Sequence, residues 1–118
     1  MARKKGIEEQ INLLELVPIR NIDWKKSDQG LTVLLKPKIK NPFLAKHILS
    51  RLKNPHYKIR LDDVGSFIWE QCDGVQTVKE IADSLSERFG DKVEPLYDRL
   101  ALFLQSLERN RFILYREK

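Results

Sequence analysis

A chain of 118 residues with a single cysteine, Cys72, has room for one ordinary core but cannot form an internal disulfide or a cysteine-built metal site. No apolar stretch approaches the ~20 residues of a spanning helix, and Glu8 and Glu9 follow Arg3, Lys4 and Lys5 where a signal peptide would be apolar; the chain reads as cytoplasmic with no membrane span. Its net charge of +5 is unevenly held, since residues 1–60 carry 14 Lys or Arg against 5 Asp or Glu, while residues 61–118 carry 8 against 12. A basic first half fits an anionic partner, or solubility with attraction between the halves.

Residues 1–6 read as a disordered basic N-terminus and 7–118 as a single domain. Over 7–16, Ile7, Ile11 and Leu14 share one side of a short helix that stops before Pro18. A hairpin follows: Ile22 and Trp24 alternate with polar neighbours, Ser27-Asp28-Gln29-Gly30 supplies turn chemistry, and Leu31, Val33 and Leu35 alternate again. Pro37 ends that strand because proline cannot donate to a ladder. Residues 36–55 form a basic insertion in which Asn41-Pro42 and Asn54-Pro55 bracket a helix over 43–53. Leu44, Ile48, Leu49 and Leu52 sit at helical spacing, with Lys46, His47, Arg51 and Lys53 between them. Such a basic amphipathic helix can lie on anionic lipid or a partner, but its commoner use is to cover one face of a sheet.

Tyr57, Ile59 and Leu61 then alternate with Lys58 and Arg60, a third strand with one basic face. The stretch 61–81 is densely punctuated. Asp62 caps a helix lined by Val64, Phe67, Ile68 and Cys72, Gly74 closes it, and Thr77 with Glu80 forms a capping box for the next. That second helix, with Val78, Ile81, Ala82, Leu85 and Phe89, ends at Gly90. A third starts near Pro95 and carries Leu96, Leu100, Phe103, Leu104 and Leu107, and the apolar residues 112–115 form a short strand or packed tail. The order is that of an α+β, winged-helix-like fold: a three-stranded antiparallel sheet followed by three helices, with an extra helix inserted between strands two and three.

No catalytic constellation stands out. His47 and His56 lack the spaced carboxylates or thiols of a metal site, Cys72 falls on an apolar stripe, and Asp62-Asp63 is explained by helix capping and the helix dipole. The five glycines fit no phosphate-binding pattern. The chain is therefore expected to be no enzyme and to need no cofactor. Trp69 has two readings: a partly exposed anchor for a ligand, or a bridge between helix and sheet.

Leu61, Asp62, Gly65, Ile68-Trp69, Asp73-Gly74, Thr77-Val78 and Glu80-Ile81, continued by Phe89-Gly90 and the stripe Leu100, Phe103, Leu107, resemble the signature of the PqqD family. The resemblance covers residues 57–113; the basic segment 36–55 and the extension 7–16 lie outside its compact pattern, which suggests a divergent, stand-alone branch. It implies a non-catalytic recognition element for ribosomally made, post-translationally modified peptides. A precursor (leader) peptide would add as a strand between the third strand and the third helix. The implied partners are that peptide and its modifying enzyme, a radical enzyme among the candidates.

The expected peptide-binding residues are Tyr57, Lys58, Ile59, Arg60 and Leu61 on the third strand and Tyr97 and Leu100 on the third helix. Alternation over 57–61 supports strand addition, with Lys58 and Arg60 favouring acidic residues in the peptide. A structural or homodimerisation module is one alternative, using 7–16 and the bracketed helix as exchange surfaces. Winged-helix DNA binding is another. No specific nucleic acid is expected, because the third helix begins among Asp91, Glu94 and Asp98, with only Lys92 and Arg99 to meet phosphates.

Overall fold

A computed structural model describes residues 13–117. The chain is helical over 13–15 and then forms β1 (Leu16–Arg20), β2 (Trp24–Lys26), β3 (Thr32–Pro37), α1 (Pro42–Ile48) with a 3-10 turn (Leu49–Arg51), and β4 (His56–Arg60). After these come α2 (Asp63–Gln71), α3 (Val78–Phe89) with a 3-10 turn (Gly90–Val93), α4 (Leu96–Arg109) and β5 (Ile113–Glu117). The fold is mixed α/β with antiparallel sheets: β1 pairs with β5, and β2-β3-β4 form a second sheet in that order. The described residues gather into two compact units, Ile22–Asp63 and the chain on either side of it.

In the 22–63 unit the hairpin turn is as its sequence requires. Ser27 N–H donates to Leu31 C=O at 2.7 Å, Gly30 N–H to Ser27 C=O at 2.9 Å, and Gly30 takes a φ of +80° that suits glycine. Trp24 then faces Leu34 across β2 and β3, and Thr32, Val33 and Leu34 are buried. Asn41 caps α1, its Oδ1 accepting from Phe43 N–H at 2.9 Å and Leu44 N–H at 3.2 Å, with Pro42 in the first turn. Two expectations for this helix need correction. The α-helix stops at Ile48 and continues only as a 3-10 turn to Arg51, and no residue of either is fully buried, with Leu44 and Ile48 of its apolar stripe exposed and Leu49 half-buried.

In the other unit, β1 was not apparent from sequence, where residues up to Leu16 read as helix and Pro18 as its stop. Residues 7–12 of that expected helix lie outside the described residues, and Leu16 already belongs to a strand. Proline is tolerated here for a geometric reason. Pro18 C=O accepts from Gly74 N–H at 3.0 Å and Arg20 N–H donates to Cys72 C=O at 3.1 Å, so the even-numbered residues of β1 turn their backbone away from β5. The missing N–H of Pro18 costs the β1–β5 ladder nothing. The apolar residues 112–115 supply β5, with Ile19 opposite Leu114 and Arg20 opposite Ile113.

The three helices occupy the stretches that periodicity assigns them. Ile68, Cys72, Val78, Ile81, Ala82, Leu85, Leu100, Leu104 and Leu107 are buried. Trp69, at 0 % exposure, is a core residue, which removes its reading as an exposed anchor. Thr77 and Glu80 form the full capping box: Thr77 N–H donates to Glu80 Oε1 at 2.8 Å and Glu80 N–H to Thr77 Oγ1 at 3.1 Å. Gly74 departs from expectation. It has the positive φ, +80°, but α2 has ended at Gln71, and the glycine instead brings the turn against β1.

A Cβ at Gly74 would lie 3.0 Å from Ile19 Cδ1, in a conformation unfavourable to L residues. Gly74→Ala is expected to cost on the order of 1 kcal/mol or more and Thr77→Ala about 1 kcal/mol, each read as a lower urea midpoint. A pH prediction comes from the core. Burial pushes the Cys72 thiol up from 9.0 to about 12, opposed by the charge of Arg20; burial, then Glu108, also raises the Tyr115 hydroxyl. Both groups hold their protons more firmly folded than unfolded. Their contribution to stability is complete below about pH 9 and declines as pH rises towards the folded values, so the urea midpoint should fall above about pH 9.

Candidate functional site

β4 is an edge strand. It pairs with β3 on one side, Ile59 opposite Leu34 and Lys58 opposite Leu35, and has no strand on the other among the described residues. Which backbone groups face each side follows from one bond. Leu61 N–H donates to Thr32 C=O at 2.9 Å, so alternation in an antiparallel pair turns the backbones of Ile59 and Tyr57 towards β3 as well. Leu35 N–H donates to Asp23 C=O, away from β4, which agrees with that phase. The N–H and C=O groups of His56, Lys58 and Arg60 therefore point outward, a row at the spacing an added strand needs.

Side chains divide the other way. Tyr57, Ile59 and Leu61 project from one face of the sheet and Lys58 and Arg60 from the opposite face, because successive residues alternate. Tyr57, Lys58 and Arg60 are exposed, and Ile59 and Leu61 half-buried. Lys38 Nζ sits 5.5 Å from the Tyr57 ring centroid, adding a third cation at this strand. Neither Lys38 nor the outward backbone of His56 was singled out from sequence: the one needs the β3–β4 register and the other the phase of the ladder.

Tyr97 and Leu100 belong to α4, in the other unit. Tyr97 is exposed and lies near the Lys79 ammonium, whose pKa is raised chiefly by Asp83, its partner at 3.0 Å. Leu100 is 1 % exposed, and its side chain is committed to packing. The cations near the start of α4 are also engaged. Arg99 Nη1 donates to Lys92 C=O at 2.9 Å, and Lys92 Nζ lies 5.5 Å from the Phe89 ring centroid. They leave little to offer a phosphate backbone beside Asp91, Glu94 and Asp98. Cys72 is buried, its thiol donating to Ile68 C=O at 3.3 Å, and burial holds it protonated, so it is no nucleophile at neutral pH. Among the described residues no three His, Cys, Asp or Glu side chains gather as a metal site, and no helix is long and apolar enough to cross a membrane.

These features define a class, a small α/β protein that presents an open, cationic strand edge. The model of the family described as coenzyme PQQ synthesis protein D (PqqD) matches residues 46–113, more than half of the chain, and the chain belongs to that family. The match begins inside α1, so part of the basic segment 36–55 lies within the matched region. No curated protein and no solved structure matches the chain.

The ladder phase makes a prediction for amide hydrogen exchange. Tyr57, Ile59 and Leu61 amides should be protected, while Lys58 and Arg60 amides should exchange at nearly the rate of an open chain. Equal protection of all five would show that the outward edge is already paired.

Proposed function

We propose that this protein is a non-catalytic peptide-recognition domain of winged-helix type, which captures a ribosomally made precursor peptide by strand addition and presents it to a modifying enzyme. The observation that carries the reading is the outward backbone of β4, which has no strand paired to it among the described residues, with Lys58 and Arg60 at its rim. Family membership supports it, and ties the pathway to coenzyme PQQ synthesis or a related peptide modification. Backbone hydrogen bonds along the edge supply affinity without regard to sequence. Selectivity comes from the two faces: carboxylates at alternate peptide positions meet Lys58 and Arg60, and the intervening apolar side chains meet Tyr57 and Ile59. Of the two α4 residues expected to bind peptide, Tyr97 is exposed and Leu100 is buried. DNA recognition by α4 is disfavoured by its acidic start and its engaged cations.

The test is an amide chemical-shift titration with the cognate precursor peptide, once neighbouring genes suggest one. Shifts should cluster on 57–61, and Lys58 and Arg60 amides should become protected from exchange. Lys58→Glu with Arg60→Glu should weaken an acidic peptide by about tenfold at low salt and less as salt rises. If saturating peptide leaves residues 57–61 unperturbed, the strand-addition site is wrong.

A further inference from the structure

Helix α1 leaves large apolar side chains exposed. Its less exposed residues are Ala45 and, one turn on, Leu49, and these mark the side that faces the protein. Phe43 falls on the opposite side of the helical wheel and Leu44 and Ile48 on its flank, and they are 70 %, 43 % and 37 % exposed. His47 lies among them, its ring centroid 4.6 Å from that of Phe43. The exposed charged residues of the segment 40–53 are all cations: Lys40 before the helix, Lys46 on it, and Arg51 and Lys53 after it. From Gln29 to Leu61 the sequence holds no Asp or Glu.

We propose that α1 is an interfacial anchor that docks on an anionic phospholipid bilayer, with Phe43, Leu44 and Ile48 inserted at the headgroup–acyl boundary and Lys40, Lys46, Arg51 and Lys53 on lipid phosphates. The occupant is argued from charge and shape. A second copy would bring the same cations face to face and be repelled. A nucleic acid would satisfy the cations but has no use for three exposed apolar side chains. A bilayer surface is negative in every direction around the helix and apolar just beneath, which matches exposed apolar side chains in a segment whose exposed charges are all cationic. The anchor is distinct from the β4 edge and uses none of its residues, so it stands apart from the proposed peptide site.

Flotation of the full chain with vesicles of phosphatidylglycerol and phosphatidylcholine tests it, with pure phosphatidylcholine vesicles as control. The chain should float with the anionic vesicles at low salt and stay behind with the neutral ones. Phe43→Ser should weaken partitioning by about tenfold and Lys46→Glu with Arg51→Glu by at least as much. These side chains are exposed, so the melting temperature should not move. Phe43→Trp should report the depth independently, with added fluorescence that shifts to the blue on binding and is quenched by brominated lipid. No flotation with anionic vesicles would overturn the proposal. Flotation lost on charge reversal but indifferent to Phe43→Ser would reduce it to surface adhesion and overturn the anchor. Variants that leave flotation intact yet weaken binding of the modifying enzyme would reassign the patch to a protein groove.

Discussion

The turn at Asp73–Gly74 carries the arrangement of the unit built from the two ends of the chain. β1 is held on one side by β5 and on the other by this turn, through Gly74 N–H to Pro18 C=O, Arg20 N–H to Cys72 C=O and the isolated bridge between Ile19 and Asp73. Arg20 adds its guanidinium, which donates to the carbonyls of Trp69 at 3.1 Å and Glu70 at 2.8 Å, at the C-terminal end of α2. Asp73 holds the turn from within, its Oδ1 accepting from Val75 and Gln76 N–H groups, bonds that depress its pKa against the cost of burial. A two-stranded sheet would be marginal alone. Here its strand is locked into the helix turn, so the helices and the chain ends stabilise one another.

What was legible in the sequence was what neighbours along the chain decide. The capping box, the Ser27–Gly30 turn, the helix start at Pro42 and the three apolar stripes all depend on residues within a few positions of each other, and each is where it was read. β1 and β5 depend on partners nearly a hundred residues apart, and nothing local separates a strand containing Pro18 from a helix that stops before it. Gly74 was legible as a positive-φ residue, but its purpose was not, because Ile19 and Pro18 are what it must approach. The same holds at the candidate site. Alternation over 57–61 revealed a strand with one cationic face; that the strand lies at an edge, and which of its amides point outward, depends on the β2-β3-β4 order and on one bond from Leu61.

An open edge is a hazard as well as a site, since any extended chain could pair with it. Lys58 and Arg60 act on both counts. They project beside the outward backbone, where a second copy of this strand would set cation against cation, and proteins commonly blunt exposed edges in this way. The same charges lower the barrier for a strand of opposite sign. On the proposed function, selection for an acidic extended peptide and protection against self-association are one property of two side chains.

The apolar face of α1 yields to the same physical reading. Most amphipathic helices turn their stripe to the core because burial of a Phe, Leu or Ile side chain is worth about 1.5–3 kcal/mol each. α1 gives up most of that burial at Phe43 and part of it at Leu44 and Ile48, while Ala45 and the following Leu49 are half-buried. Its fold is kept by other means: the Asn41 cap, the first-turn Pro42, and the bond from Lys38 N–H to Pro55 C=O that ties the two flanks of the segment together at 3.0 Å. A helix fixed at its ends by polar bonds does not need its apolar stripe for its own stability, which leaves that stripe available for a surface outside the chain.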